Sequence, residues 1–225
     1  MKSIVAFAFL AVVISAVSSE LHCTVKRPNI PNDWIDMVRP CVEEMKKQIQ
    51  KEINASMKYL AMGAHFSRDT VNRPGFAKYF FEAASEEREH AIKLIKYLLM
   101  RGELVSGVSK LIKTSFDALP TTHWNNAVAA LEDALKTEAE VTKSIRNVIS
   151  VCEEPNDNSR FNDYHLSDYL TGEFLEEQYK GQRDIAGKIS NSRNLWATMV
   201  NLENSCSIKN CCKQCKIKYS RPQFV

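Results

Sequence analysis

Glycine and proline are scarce, seven of each in 225 residues. With so few turn formers, and with Ala, Leu, Glu and Lys plentiful, the composition argues against a turn-rich fold and for long helices. No glycine-rich loop is present to cradle a phosphate. No nucleophile sits in a motif with a partnered base, and there is neither an internal repeat nor a low-complexity tract. Beyond the N-terminus no apolar run approaches the roughly 20 residues that a membrane-spanning helix needs. An excess of charge of either sign is also lacking, with a formal net of +3. Residues 191–225 hold six Lys/Arg and one acid, which leaves the rest of the chain at −2. The basic character belongs to the tail, so a nucleic-acid partner loses its support.

Residues 1–19 read as a secretory leader: Lys2 is the basic end, Ile4 to Val17 carries no charge, and Ala16-Val17-Ser18-Ser19 supplies small residues for cleavage. The expected location is therefore the secretory pathway, from the ER and Golgi lumen to extracellular fluid. Seven cysteines (Cys23, Cys41, Cys152, Cys206, Cys211, Cys212 and Cys215) suit an oxidising compartment. Cys23 can reach Cys41 to staple the N-terminal extension, or bridge to another subunit, and sequence does not choose between the two.

The domain scheme is a leader (1–19), an extension (20–33), a helical bundle (34–190) and a Cys/Lys-rich tail (191–225). The bundle should have four helices. The first opens at Trp34 behind Asp33 as N-cap and runs to about residue 66, with one stripe through Met45, Ile49, Glu52, Ser56, Tyr59 and Gly63. The sequon Asn54-Ala55-Ser56 falls mid-helix, where a glycan would clash, and should be unused. The second runs from Pro74 to Met100, with a stripe of Phe76, Phe80, Ala83, Glu87, His90, Leu94 and Leu98. A long crossover follows to about Pro120. The third helix starts near Thr121-Thr122, its stripe running Trp124, Val128, Leu131, Leu135, Glu138, Val141, Ile145 and Ile149. The fourth starts near Arg160 and shows Leu170, Phe174, Gln178, Ile185 and Ile189.

Each stripe is apolar except near its middle. Glu52, Glu87 with His90, Glu138 and Gln178 occupy positions where core residues belong, and a carboxylate is rarely buried unless paired or metal-bound. Glu-x-x-His sets an oxygen and an imidazole one turn apart on one face. Midpoints of packed helices lie at similar heights and their axes about 8–10 Å apart, so these groups should converge. Carboxylates with one imidazole and no thiolate suit Fe(II) or a similar divalent ion. Glu52, Glu87 and His90 serve one position; Glu87, as a bridge, and Glu138 serve a second with little else. Such a lopsided site favours iron as a passing substrate over a resident cofactor.

The stretches "EINASMKYLAMGAHF", "NRPGFAKYFFEAASEEREHAIKL", "LEDALKTEAEVT" and "DYLTGEFLEEQYKGQRDIAGKI" resemble the ferritins, most closely the secreted heavy-chain type of insects. The resemblance covers residues 34–190. It implies an all-α, ferritin-like four-helix bundle with a long crossover, in a 24-subunit shell shared with light-chain-like subunits. It implies a ferroxidase, in which dioxygen oxidises Fe(II) to Fe(III) for storage as mineral. Carried over, Glu52, Glu87, His90 and Glu138 match the metal ligands, and Gln178 matches the residue that orients water or oxygen there. Tyr59 matches the tyrosine hydrogen-bonded at the site, and Glu86 a nearby carboxylate. Glu89 matches one mineral-nucleating acid, while Ile92 stands in place of another. Asp168 matches one acid of the three-fold channel, while Thr171 replaces its companion.

After about Ile189 the resemblance stops, and the family's short fifth helix, ending in something like "GELGEFLFDKKL", is missing or replaced. Suitable codons for Trp196 onward, regrouped from the third base of each, translate as "GNNGELGEFLFDKKL". A reading-frame slip near Ser190 is therefore expected, with a true cysteine-rich extension as the alternative. Two other functions compete with the ferroxidase: a non-catalytic or assembly-impaired ferritin subunit, and a di-iron oxygenase. The last would want a second Glu-x-x-His that the fourth helix lacks.

Overall fold

The computed structural model describes residues 29, 31–103, 111–113, 123–154 and 162–208, with side chains to 194. The leader, Cys23, most of the crossover, 155–161 and 209–225 lie outside these residues. The chain divides into two units, Met1–Trp34 and Ile35–Val225. Within the first, the described residues include a short 3-10 turn at Asn32–Trp34.

The second unit is a set of long helices: α1 (Arg39–Ser67), α2 (Pro74–Met100), α3 (Ala127–Glu153), and a fourth rod made of α4 (Tyr164–Leu170) and α5 (Glu176–Ile208). A π-helical turn, Thr171–Leu175, joins the two parts of that rod. No strand occurs among the described residues. None of the described helices is long and apolar enough to cross a membrane.

Helix starts follow local chemistry more closely than the stripes suggest. The first helix does not begin at Trp34 but at Arg39, with Pro40 in its first turn. Proline lacks an N–H and collides with the carbonyl four residues back, so a helix begun at Trp34 would carry it where it breaks the ladder. α3 begins at Ala127 because the Asn126 side chain caps it, its Oδ1 accepting from the Ala129 N–H at 2.8 Å. α4 likewise starts behind Asp163, whose Oδ1 accepts from the Leu166 N–H at 3.1 Å. The fourth rod continues without a break past Ile189 to Ile208.

Two apolar clusters fill the interior. One gathers Met45, Ile49, Leu94, Leu98, Ile145 and Leu170 among others. The second contains Met62, Phe66, Phe80, Leu131, Ile185 and Ile189. The order in which each rod visits them fixes its direction. α1 and the fourth rod pass from the first cluster to the second, whereas α2 and α3 pass from the second to the first. The topology is thus up-down-down-up. It requires a long crossover between α2 and α3, and residues 101–126 supply it. The crossover touches α1 where the Lys113 N–H donates to Gln50 Oε1 at 2.7 Å, and Leu111 packs on the first cluster. Between α1 and α2, a Cβ on Gly63 would lie 2.5 Å from the Phe81 ring, so glycine there permits the close approach.

The end of the bundle nearest the first cluster is held by two devices. Arg101 donates from Nη1 to Asp163 Oδ1 (2.9 Å) and Tyr97 Oη (2.7 Å), and from Nη2 to Asp36 Oδ1 (2.6 Å). This ties the lead into α1 to the end of α2 and the start of α4. A disulfide joins Cys41 to Cys152, so Cys41 is not free to staple the extension through Cys23. The pairing is a consequence of antiparallel α1 and α3, which bring residues 111 apart in sequence to 4.9 Å between Cα atoms. Removing a cross-link over that separation should cost about 4–5 kcal/mol by the chain-entropy argument. Denaturant unfolding of Cys152→Ser against the parent chain is expected to show that loss; a difference below about 1 kcal/mol would place the stabilisation elsewhere.

As for the sequon, the Ser56 hydroxyl is buried and donates to the Ala84 carbonyl at 2.6 Å, midway along α1.

Candidate metal centre

The two apolar clusters are separated by a polar layer. On α1, Glu52 follows Ile49 by one turn, and on α2 Glu87 and His90 sit one turn apart facing it. Glu52 is fully buried, with Glu87 and His90 nearly so. Each offers a donor atom, and the three atoms lie within 4.8 Å of one another. Gln48, one turn before Glu52, donates from Nε2 to Glu52 Oε1 at 2.7 Å. The other oxygen, Glu52 Oε2, has no hydrogen-bond partner, and neither has Glu87 Oε2 or His90 Nδ1, which stand 3.9 Å from each other. A buried polar atom without a partner costs about 1–3 kcal/mol, more for a charged group. Three of them, on residues whose donor atoms cluster this closely, are what a bound cation would satisfy, and carboxylate with imidazole suits a divalent first-row metal.

α3 and α5 close the layer from the other side. The Tyr59 hydroxyl donates to Glu138 Oε1 in a short hydrogen bond. Gln178 is buried, and its Oε1 accepts from the Thr142 hydroxyl at 2.9 Å. A cavity of about 240 Å³ touches Tyr59, Glu86, Glu87, His90, Glu138 and Gln178. A larger groove, about 910 Å³, runs along α1 and α2 past Phe66, Pro74 and Phe81; it reaches Glu82 and Glu86 but none of the buried acids. Chemistry, not size, picks out the smaller one.

The electrostatics are those of crowded carboxylates in a dry layer. Burial first, and then the charge of Glu87, push the Glu52 carboxyl well above its usual range. Burial and the Glu138 charge raise Glu87 to about 8. Glu138 is also raised by burial, an effect opposed by its hydrogen bonds with Tyr59 and Gln178. Burial and the neighbouring Glu138 hold the Tyr59 phenol protonated, its pKa well above the usual value. Without a cation Glu87 keeps its proton at neutral pH. A divalent ion would displace it, so binding and proton release are linked.

The positions singled out from sequence fall into three groups. Glu52, Glu87 and His90 meet directly. Tyr59, Glu138 and Gln178 border the same cavity, with Glu138 paired to Tyr59 and Gln178 to Thr142. Glu86 is exposed at the cavity's edge, whereas Glu89 and Asp168 are exposed and do not line it. Sequence reasoning missed Gln48, although its place one turn from Glu52 marked it. It also missed Glu177, whose Oε2 lies 3.3 Å from His90 Nε2. That residue reads as surface, being half exposed.

A four-helix bundle with a buried carboxylate–imidazole layer at mid-height defines a class, the helical proteins that carry metal between their rods. The Ferritin-like domain signature of the ferritin family matches residues 42–194. The chain is 61% identical over 188 residues to the ferritin heavy chain of Trichoplusia ni, covering 83% of this chain and 85% of that one. It is 50% identical over 198 residues to the ferritin heavy chain of Drosophila melanogaster, covering 88% and 94%. The crystal structure of Trichoplusia ni secreted ferritin superposes with a TM-score of 0.71 at 61% identity, covering 77% of this chain and 88% of that one. The chain belongs to the ferritin family.

Proposed function

We propose that this chain is an iron-storage subunit that oxidises Fe(II) to Fe(III) with dioxygen and passes the product to a mineral held in a multi-subunit shell. The observation that carries this is the convergence of Glu52, Glu87 and His90 with three unpartnered buried atoms. In this reading iron is the substrate. Glu52, Glu87 and His90 hold one ion; Glu87 and Glu138 reach a second. Gln48 orients Glu52, and Tyr59 orients Glu138. Gln178 acts from the wall of the site. Each Fe(II) gives up one electron to dioxygen, and the hard, anionic ligand set favours the more highly charged product. The displaced carboxyl protons are available to the reduced oxygen. The exposed acids Glu86, Glu89 and Asp168 serve iron traffic outside the site.

The remaining readings go with it. The relatives are heavy chains, and light-chain-like subunits are the expected companions in the shell. Secretion, with residues 1–19 as leader, is supported by the description of the Trichoplusia ni protein as a secreted ferritin and by the Cys41–Cys152 disulfide, a bond of oxidising compartments. The family match ends at residue 194, close to where the resemblance in sequence stops. A frame slip near Ser190 accounts for this together with the codon regrouping, and it makes an assembly-impaired subunit the second reading. The gene and transcript sequence around Ser190 tests the slip, which fails if the codons do not regroup.

The function itself is tested by adding Fe(II) in air to the purified full-length chain and following oxygen uptake and ferric absorbance. Iron-dependent oxygen consumption well above a protein-free control is expected. Uptake at the control rate overturns the ferroxidase reading.

A further inference from the structure

The two nitrogens of the His90 ring meet different neighbours. Nδ1 is on the side of the buried acids, 3.9 Å from Glu87 Oε2 and without a hydrogen-bond partner. Nε2 lies 3.3 Å from Oε2 of Glu177, on the fourth rod. The ring itself packs against Phe174, with centroids 5.6 Å apart and planes at 58°. Lys93, one turn beyond His90 on α2, is 3.8 Å from the same Glu177 oxygen and 5.9 Å from the centroid of the Phe174 ring. Each rod thus contributes a pair three residues apart: His90 and Lys93 from α2, Phe174 and Glu177 from the other. His90 alone of the four belongs to the buried donor cluster, and Glu177 is half exposed.

We propose that Glu177 is a positioning residue for this site, holding the His90 imidazole with its proton on Nε2 and its Nδ1 lone pair free for a cation. The physical reason is the ring's single proton. A neutral imidazole has one N–H and one lone pair, and the nitrogen that binds a cation cannot also carry the proton. A cation taken at Nδ1 therefore puts the proton on Nε2, and Glu177 is the acceptor beside it. The opposite tautomer would turn the Nε2 lone pair on the Glu177 carboxylate, which repels it, and would aim an N–H at the space the cation needs. Phe174 restrains the ring, and Lys93 restrains the carboxylate. The inference rests on the reading of this layer as a metal site. It gives Glu177 the part of a carboxylate that acts through a ligating imidazole and does not touch the ion.

Titration of the full-length chain with Co(II), followed by visible absorbance, tests it. Glu177→Met, which keeps the length and removes the acceptor, should weaken Co(II) binding about tenfold. Its bound spectrum should keep the parent's band positions, because the ligands of the ion are unchanged. Glu177→Gln, which keeps an oxygen acceptor of the same shape, should stay within about threefold of the parent. Both changes fall at a half-exposed helical position, so both chains should fold, with circular dichroism as the check. Unchanged affinity in Glu177→Met would overturn the inference. So would a loss in Glu177→Gln as large as in Glu177→Met, which assigns the effect to charge. A shifted spectrum in Glu177→Met would overturn it as well, because Glu177 would then be a ligand. If the parent chain binds Co(II) no better than Glu87→Gln, the metal-site reading itself fails and takes the inference with it. If the parent binds and Glu177→Met is unaffected, only the positioning role falls.

Discussion

Glu87→Ala should lower the initial rate of Fe(II) oxidation by at least about a hundredfold, beyond the 10–100-fold typical of residues that only support a ligand. Glu87 is the one carboxylate placed to act on both sides of the layer. It faces Glu52 and His90 within the three-residue cluster, and its charge is felt by Glu52 and Tyr59. Losing it leaves Glu52 with His90 on one side and Glu138 alone on the other, too few donors to hold either ion. The fold should tolerate the change, because the side chain removed has an unsatisfied buried oxygen. Stopped-flow oxidation of the variant, with circular dichroism as a check on helicity, measures it. A variant that keeps its helices and oxidises iron within a fewfold of the parent rate would contradict the role given to Glu87.

The second large effect is on stability and has the opposite sign. Glu87 titrates near the usual 4.5 when unfolded and at about 8 when folded. Between those values the native state binds more protons than the unfolded state, so stability falls as pH rises from about 4.5 to about 8 and then levels off. Taken alone the shift is worth about 4–5 kcal/mol by pH 8, as an order of magnitude. Glu52 and Glu138, both raised, act in the same direction. In the metal-free chain Glu87→Gln should therefore be more stable than the parent at pH 8, with the gap closing by pH 5. A divalent cation should stabilise the parent more at pH 8 than at pH 5, because fewer protons compete for its ligands. Chemical denaturation at the two pH values, with and without Zn(II), gives all four numbers. A Glu87→Gln chain less stable than the parent at pH 8 without metal would refute the idea that this layer is costly until filled. Such a site trades stability for function.

Much of the site was legible because a helix repeats every 3.6 residues. A charged residue on an apolar stripe stands out, and Glu52, Glu87 and Glu138 were readable for that reason alone. The antiparallel α1–α2 pair was readable from its short turn, and the long crossover from the distance between stripes. Other features depend on contacts that no periodicity encodes. The Cys41–Cys152 pairing follows from the relative direction of two rods, and neither partner carries that information by itself. The start of α1 turned on Pro40, whose chemistry outweighs a continuous apolar pattern. Glu177 looked like any solvated acid beside Gln178. The π turn lies beside it, and Phe174 packs on the His90 ring of α2, with centroids 5.6 Å apart, while Lys93 of α2 lies 3.8 Å from Glu177 Oε2.

Anomalous scattering from crystals soaked in a divalent cation puts the central claim to its most direct test. A peak is expected between α1 and α2, at about 2.0–2.2 Å from oxygens of Glu52 and Glu87 and a nitrogen of His90. A map with no peak there, or with metal only on exposed acids such as Glu89 and Asp168, would contradict it.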